Sequence, residues 1–216
     1  MKALFYKDLC TLKKQIMFYF LFYIVYTFIM IQTQQIEFLA GVLIMIGSTM
    51  PVSAIAYDEQ SKWQLFGQVL PIAKKDFVVE KYLLGICGMI FSAGMVLVTG
   101  IVGSLFGLLE GNQETMLTQV GMTVTVLGVG LMMLSISLPI IFKMGVEKAR
   151  FLLLGGNLLL FLAVVKVASA SQFHGIIEWM AANPMIMLVS AVVVVMGMLV
   201  ISAIISNGIY KKKEFC

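Results

Sequence analysis

Residues 82–109 read YLLGICGMIFSAGMVLVTGIVGSLFGLL, an unbroken run without one charged side chain. As a helix this run is about 40 Å long, more than the ~30 Å hydrocarbon core of a bilayer requires. It is too long and too continuous for a barrel strand, which alternates over about ten residues. The same pattern recurs on either side. Apolar runs broken by charge fall at about 16–33, 38–57, 116–142, 151–173 and 185–206, so the sequence predicts six spans in an all-α, polytopic membrane protein. Composition agrees: 61% of the 216 residues are hydrophobic and 12% charged, with a mean hydropathy of +1.01. A soluble domain sits near half apolar and a quarter charged. Residues 1–216 therefore read as a single transmembrane domain with no room for a large soluble unit.

The small net charge of +4 matters less than its placement. Lys2, Lys7, Lys13 and Lys14 precede span one; Lys62, Lys74, Lys75 and Lys81 separate spans two and three. Lys143, Lys148 and Arg150 separate spans four and five, and Lys211, Lys212 and Lys213 follow span six. The opposite loops hold Glu37, Glu110, Glu114 and Glu178 and no basic residue. All but one of the 15 Lys and Arg thus share one side, and the positive-inside rule puts both termini in the cytoplasm. No small-residue cleavage site follows the first apolar run, so it reads as a retained span. The remaining basic residue, Lys166, lies some 22 Å along span five; it either snorkels to the outer interface or lines a substrate path. Asn157 is deeper, where an amide commonly bonds across helices.

The inner connection over 58–81 is too polar to span and too patterned to be structureless. Ser61 and Gln64 have capping-box spacing, which predicts a short helix from about Lys62 to Leu70 that Pro71 ends. Its Trp63, Leu65, Phe66, Val69 and Leu70 exceed what a free cytoplasmic loop should expose. Either the helix lies on the inner leaflet, or a protein partner takes Trp63 and Phe66 into a groove. Asp76 is expected to cap the helix of span three. In the first 15 residues, Leu4, Phe5, Leu9, Leu12 and Ile16 fall at helical spacing with lysines between them, predicting an amphipathic helix along the membrane. It is either an anchor or an elbow that moves.

Catalytic chemistry is poorly supplied. The one histidine, His174, sits in an outer loop, and Cys10, Cys87 and Cys216 share no metal-ligand spacing. Neither a phosphate loop nor a GxGxxG occurs, so ATP must be handled on another chain. Carboxylates are nearly absent from the spans, against a carrier driven by buried acids. The basic residues follow the membrane topology and form no nucleic-acid face. Tyr19, Tyr23 and Tyr26 make a stripe on span one, either packing against a neighbouring helix or facing an amphipathic substrate. Gly103 and Gly107 form a GxxxG that permits close helix approach. Pro51 and Pro139 fall within spans two and four, where they would bend them.

The inner loop then carries a resemblance. Tyr57-Asp58-Glu59-Gln60-Ser61-Lys62-Trp63-Gln64-Leu65-Phe66, Leu70-Pro71-Ile72, Lys74-Lys75 and Val79-Glu80-Lys81-Tyr82 resemble permease subunits of ABC-2 type ATP-binding cassette transporters. The six-span layout extends that likeness along the whole chain. It implies a coupling helix, around Asp58, Glu59, Lys62, Trp63, Leu65, Phe66, Val69 and Leu70, docking on a separate ATPase subunit present in two copies. It implies an N-terminal elbow helix, and a second permease subunit completing a homo- or heterodimer. ATP and Mg would sit on the partner, in a bacterial-type cytoplasmic membrane. The segment between spans five and six is short, which sets aside an elaborate outer gate. Among short-looped members the chain is similar to exporters of amphipathic peptides and bacteriocins, the phenol-soluble modulin type included. Tyr19, Tyr23, Tyr26, Asn157 and Lys166 are the candidates for a substrate path. The rival reading is the substrate-binding subunit of an energy-coupling-factor importer, which docks through alanines on span one; residues 16–33 contain none. An intramembrane enzyme is a third reading, disfavoured by the missing catalytic groups.

Overall fold

In the computed structural model, residues 2–33, 36–63, 73–107, 113–153 and 184–212 are described, and every element among them is a helix. In chain order these are α1 (Lys2–Thr11), α2 (Lys13–Thr33), α3 (Ile36–Ser48), α4 (Met50–Gln60), α5 (Lys74–Leu105), α6 (Gln113–Met144) and α7 (Pro184–Lys212). A further helical stretch covers 146–153. Among the described residues, four candidate spans are long and apolar enough to cross a bilayer: Gly41–Gln60, Lys74–Leu105, Met116–Met144 and Val189–Lys212. A fifth arises if Ala3–Thr11 and Lys13–Ile29, bent by 59° between them, count as one. The expected span over 151–173 lies almost wholly outside the described residues.

Several boundaries differ from the sequence reading for physical reasons. Span three begins at Lys74, eight residues before Tyr82, because a helix continues through charged residues once it leaves lipid. Its N-cap is Ala73, and Asp76 sits in the first turn with its N–H on the Ala73 carbonyl. Asp76 therefore complements the positive end of the helix dipole and is not the cap. Span two is two helices meeting at Thr49, next to Pro51, whose missing N–H interrupts the ladder where a bend was expected. Pro139 lies inside α6.

The expected GxxxG is not a packing motif. Gly107 lies beyond the end of α5 at a φ of +66°, in the left-handed region, and turns the chain away. Close approach is made lower down, by Gly47 of α3 and Gly88 of α5. A Cβ on Gly47 would stand 2.8 Å from the Gly88 carbonyl oxygen, and one on Gly88 2.9 Å from that of Gly47. Backbone meets backbone there, as small residues permit between helices in lipid.

Around this crossing α5 packs on α3 and α6, and α7 packs on α6 and α5. Ile44, Ile55, Val78, Met89, Leu134, Leu138 and Ile141 fill the core. The outer faces are as apolar as the core: Met17, Phe18, Leu21, Ile24 and Phe28 of α2 and Val193, Val200 and Ile204 of α7 are exposed. In a helical protein whose solvent is lipid, that distribution is the stable one.

Candidate functional site

The polar residues of the bundle concentrate where α1, α4 and α5 meet. On α1, Asp8 lies one turn from Leu4 and one turn from Leu12, so the carboxylate shares the face that buries both leucines. On α4, Asp58 is one turn from the buried Ala54; on α5, Lys81 is one turn from the buried Phe77. Each helix thus turns charge onto its inward face, with Glu80 buried beside Lys81 on α5, and these charges meet.

Lys81 is 0% exposed. Its Nζ donates to Asp8 Oδ2 and, at 2.8 Å, to Asp58 Oδ2. Lys7 closes the figure, donating to Asp58 Oδ1 while standing 2.7 Å from Asp8 Oδ1. Two lysines and two aspartates form a ring in which each carboxylate is held by both ammonium groups. Burying an unpaired ammonium or carboxylate is costly, and only such mutual satisfaction makes the arrangement tolerable. Burial pushes the Asp8 carboxyl up, but the Lys81 charge and the hydrogen bonds from Lys7 and Lys81 outweigh it and hold the group below its ordinary range. Aromatic faces complete the enclosure: Lys81 lies 4.8 Å from the centre of the Phe77 ring, and Lys7 4.8 Å from that of Trp63. Glu80, also buried, brings Oε2 to 3.5 Å from Lys81 Nζ, and its carboxylate has no hydrogen-bond partner.

Neighbouring ties surround the ring. Glu59 Oε2 accepts the Val146 N–H at 3.0 Å, capping the helical stretch over 146–153 just after Gly145, whose φ is +81°. Phe77 stacks on Tyr210 of α7 at 5.1 Å, and Phe142 of α6 meets the same ring edge-on at 5.7 Å. One residue past Lys81, the Tyr82 hydroxyl lies 2.5 Å from Ser202 Oγ and 2.9 Å from Ser206 Oγ, and Ser202 donates to the Ser135 carbonyl. Five numbered helices and the stretch over 146–153 are fastened at one end of the bundle.

The expected docking residues distribute unevenly. Asp58 is in the ring and Glu59 is the remote cap, so both face inward. Lys62 is exposed at a φ of +53°. Trp63 is half-buried beneath Lys7. Leu65, Phe66, Val69 and Leu70 lie outside the described residues. The Ser61 hydroxyl donates to the Tyr57 carbonyl at 2.7 Å, closing the end of α4; its expected capping partner Gln64 lies outside the described residues.

The tyrosine stripe proves to be partly a set of interhelical bonds. Tyr19 receives the Gln15 amide at 2.6 Å, and Gln15 also donates to Ser53 of α4 at 2.7 Å. The Tyr23 hydroxyl lies 2.6 Å from Thr99 Oγ1 of α5, and Tyr26 stacks on Phe22 at 6.2 Å. Beside Tyr19 and Tyr23 is a small cleft of ≈ 40 Å³, lined also by Phe20, Leu43, Met50 and Met95. Asn157 and Lys166 lie outside the described residues.

Sequence reasoning missed Lys7, Asp8 and Lys81 as a unit: Lys7 counted as a topology signal, Lys81 as that and as part of the family-like run, and Asp8 had no role. The signal was present: Asp8 is an acid on the apolar stripe of a predicted amphipathic helix, and such a residue needs a partner.

Apolar helices of lipid-spanning length, fastened at one end by buried charge, define a multi-pass membrane protein. The family described as ABC-2 family transporter protein matches residues 3–211, and the chain belongs to it. Members are the membrane components of ABC-2 type transporters, without an ATPase site of their own, which implies an ABC ATPase partner. No curated protein and no solved structure matches the chain.

Proposed function

We propose that the chain is the permease subunit of an ABC-2 type exporter that moves an amphipathic substrate, of the peptide-toxin or bacteriocin class, out of the cell. Two ATPase copies hydrolyse ATP on the cytoplasmic face, and two permease copies rearrange between them in a cytoplasmic membrane with all termini inside. The segment around 59–70 is the coupling helix that receives the ATPase. The outward state is reached because the ATP-bound complex contacts it better than the inward one.

The observation that carries this reading is the family match over nearly the whole chain, joined to the ring that braces both ends of the inner loop. A free loop has no need of a buried ion pair at its base; a loop that takes up force does. The cleft beside Tyr19 and Tyr23 supports an amphipathic substrate, since its lining is apolar apart from Tyr19, Tyr23 and Ser92. The vitamin-binding alternative has no support from the family to which the chain belongs.

The test is co-purification with the cognate ATPase. Because Trp63 also packs on Lys7, the variants Phe66→Ala and Leu70→Ala carry the experiment, with thermal unfolding as the folding control. Loss of ATPase association and of permease-stimulated hydrolysis is expected. Unchanged association and stimulation in both variants would overturn the docking assignment.

A further inference from the structure

The inner loop is closed at its base. Asp58 lies two residues before the end of α4 and Lys81 eight residues into α5, and their side chains meet at 2.8 Å. The same ammonium holds Asp8, and Lys7 reaches back to Asp58, so the ion pairs leaving α1 run to the two ends of that loop. α1 then joins α2 through the 59° bend at Leu12, itself buried against Ala54 of α4 and Leu84 of α5. From the loop, a continuous packed route therefore leads through α1 to the helix bearing Tyr19 and Tyr23.

Stability alone is a weak reason for such a ring. Apolar side chains of similar volume commonly do as well in a buried site, whereas charges fix one register and tolerate no other. A ring of four charges shared among three helices behaves as a latch: the helices move together, or the ring must open.

We propose that Lys81 is a positioning residue, the hub of an ionic latch with Lys7, Asp8 and Asp58 that makes α1 move as one body with both ends of the inner loop. Displacement of the loop then reaches the cleft from two sides, through α1 and α2 and through α4. α1 is a working part of the drive and not an anchor. This inference rests on the reading that the loop receives the ATPase.

Two measurements on the full permease–ATPase complex test it, in vesicles of phosphatidylethanolamine and phosphatidylglycerol. The first uses a neutral, shape-preserving variant, Lys7→Met, Asp8→Asn, Asp58→Asn, Glu80→Gln and Lys81→Met together, so that the buried Glu80 beside Lys81 is not left without its partner. It is expected to bind the ATPase and unfold at the wild-type temperature, while exported amphipathic peptide per ATP hydrolysed falls about tenfold, within the usual range of a coupling free energy. Wild-type export per ATP in this variant would overturn the latch. The second uses the wild-type ring and stands even if the neutral variant does not fold. A spin label on Cys10, exposed on α1, is paired with one at Lys62→Cys, with Cys87 and Cys216 replaced by Ser. The distance between them is expected to be the same in nucleotide-free and ATP-trapped complexes, while the Cys10 distance to a label on Leu105→Cys changes. A Cys10–residue 62 distance that differs between the two states would overturn one-body motion. Failure of the docking reading looks different: Phe66→Ala and Leu70→Ala then keep the ATPase bound and stimulated.

Discussion

The two ends of the contact between α2 and its neighbours are built differently. Around the bend at Leu12, the chain is held by charges, three of them buried and Lys7 partly so, each paired twice, under two aromatic faces. About two to three turns further along, α2 is held by hydroxyls: Tyr19 near Thr49 at 3.4 Å and Tyr23 on Thr99 at 2.6 Å, with most of its other side chains turned outward. Charge pairs strand a partner when broken, whereas hydroxyls exchange partners readily inside a bundle. The chain is stiff where force is proposed to arrive and yielding where a substrate would pass.

The comparison breaks most visibly at Lys81. Lys81→Met alone leaves Asp8 and Asp58 buried with one lysine, and it is expected to destabilise the detergent-solubilised protein by about 3–5 kcal/mol, seen as a lowered thermal midpoint. Next comes the apolar crossing: Gly47→Leu drives a side chain into the Gly88 carbonyl, with an expected loss of about 1–3 kcal/mol by the same assay. Tyr82→Phe removes the hydroxyl between Ser202 and Ser206 and is expected to cost about 1 kcal/mol, because membrane hydrogen bonds are individually modest. Tyr23→Phe is expected to cost roughly 0.6 kcal/mol, with a larger effect on substrate-stimulated ATPase than on unfolding. Phe18→Leu, on the lipid face, is expected to stay within about 0.5 kcal/mol of wild type; a larger loss would mean that α2 is clamped along its whole length.

Much of the helical architecture was legible because lipid imposes a simple code: apolar length reports spans, as in the run from Tyr82 that α5 carries to Leu105, and a proline marks a helix break, as at Pro51. The family resemblance was legible from the run around Asp58 and Lys81. The role of those same two residues was not. Topology rules count a lysine once, by the side of the membrane it occupies, and are blind to whether it faces water or a neighbouring helix. Asp8, Asp58 and Lys81 belong to three segments far apart in sequence, and only packing reveals that their inward faces converge. Gly107 failed in the opposite direction. Its spacing from Gly103 fitted a helix that ends at Leu105, before Gly107 is reached, so a local pattern outlived the element that would give it meaning.

One consequence follows from the length of α5 and the place where α3 touches it. The helix runs about 48 Å from Lys74 to Leu105, and Gly88 divides it into arms of roughly 21 and 26 Å. Were α5 to pivot at that crossing, where backbone meets backbone beside Ser92 and Met50, it would act as a lever with nearly equal arms. Rotation about it carries the two tips in opposite directions by similar amounts, so the stroke is reversed in sense with scarcely any gain.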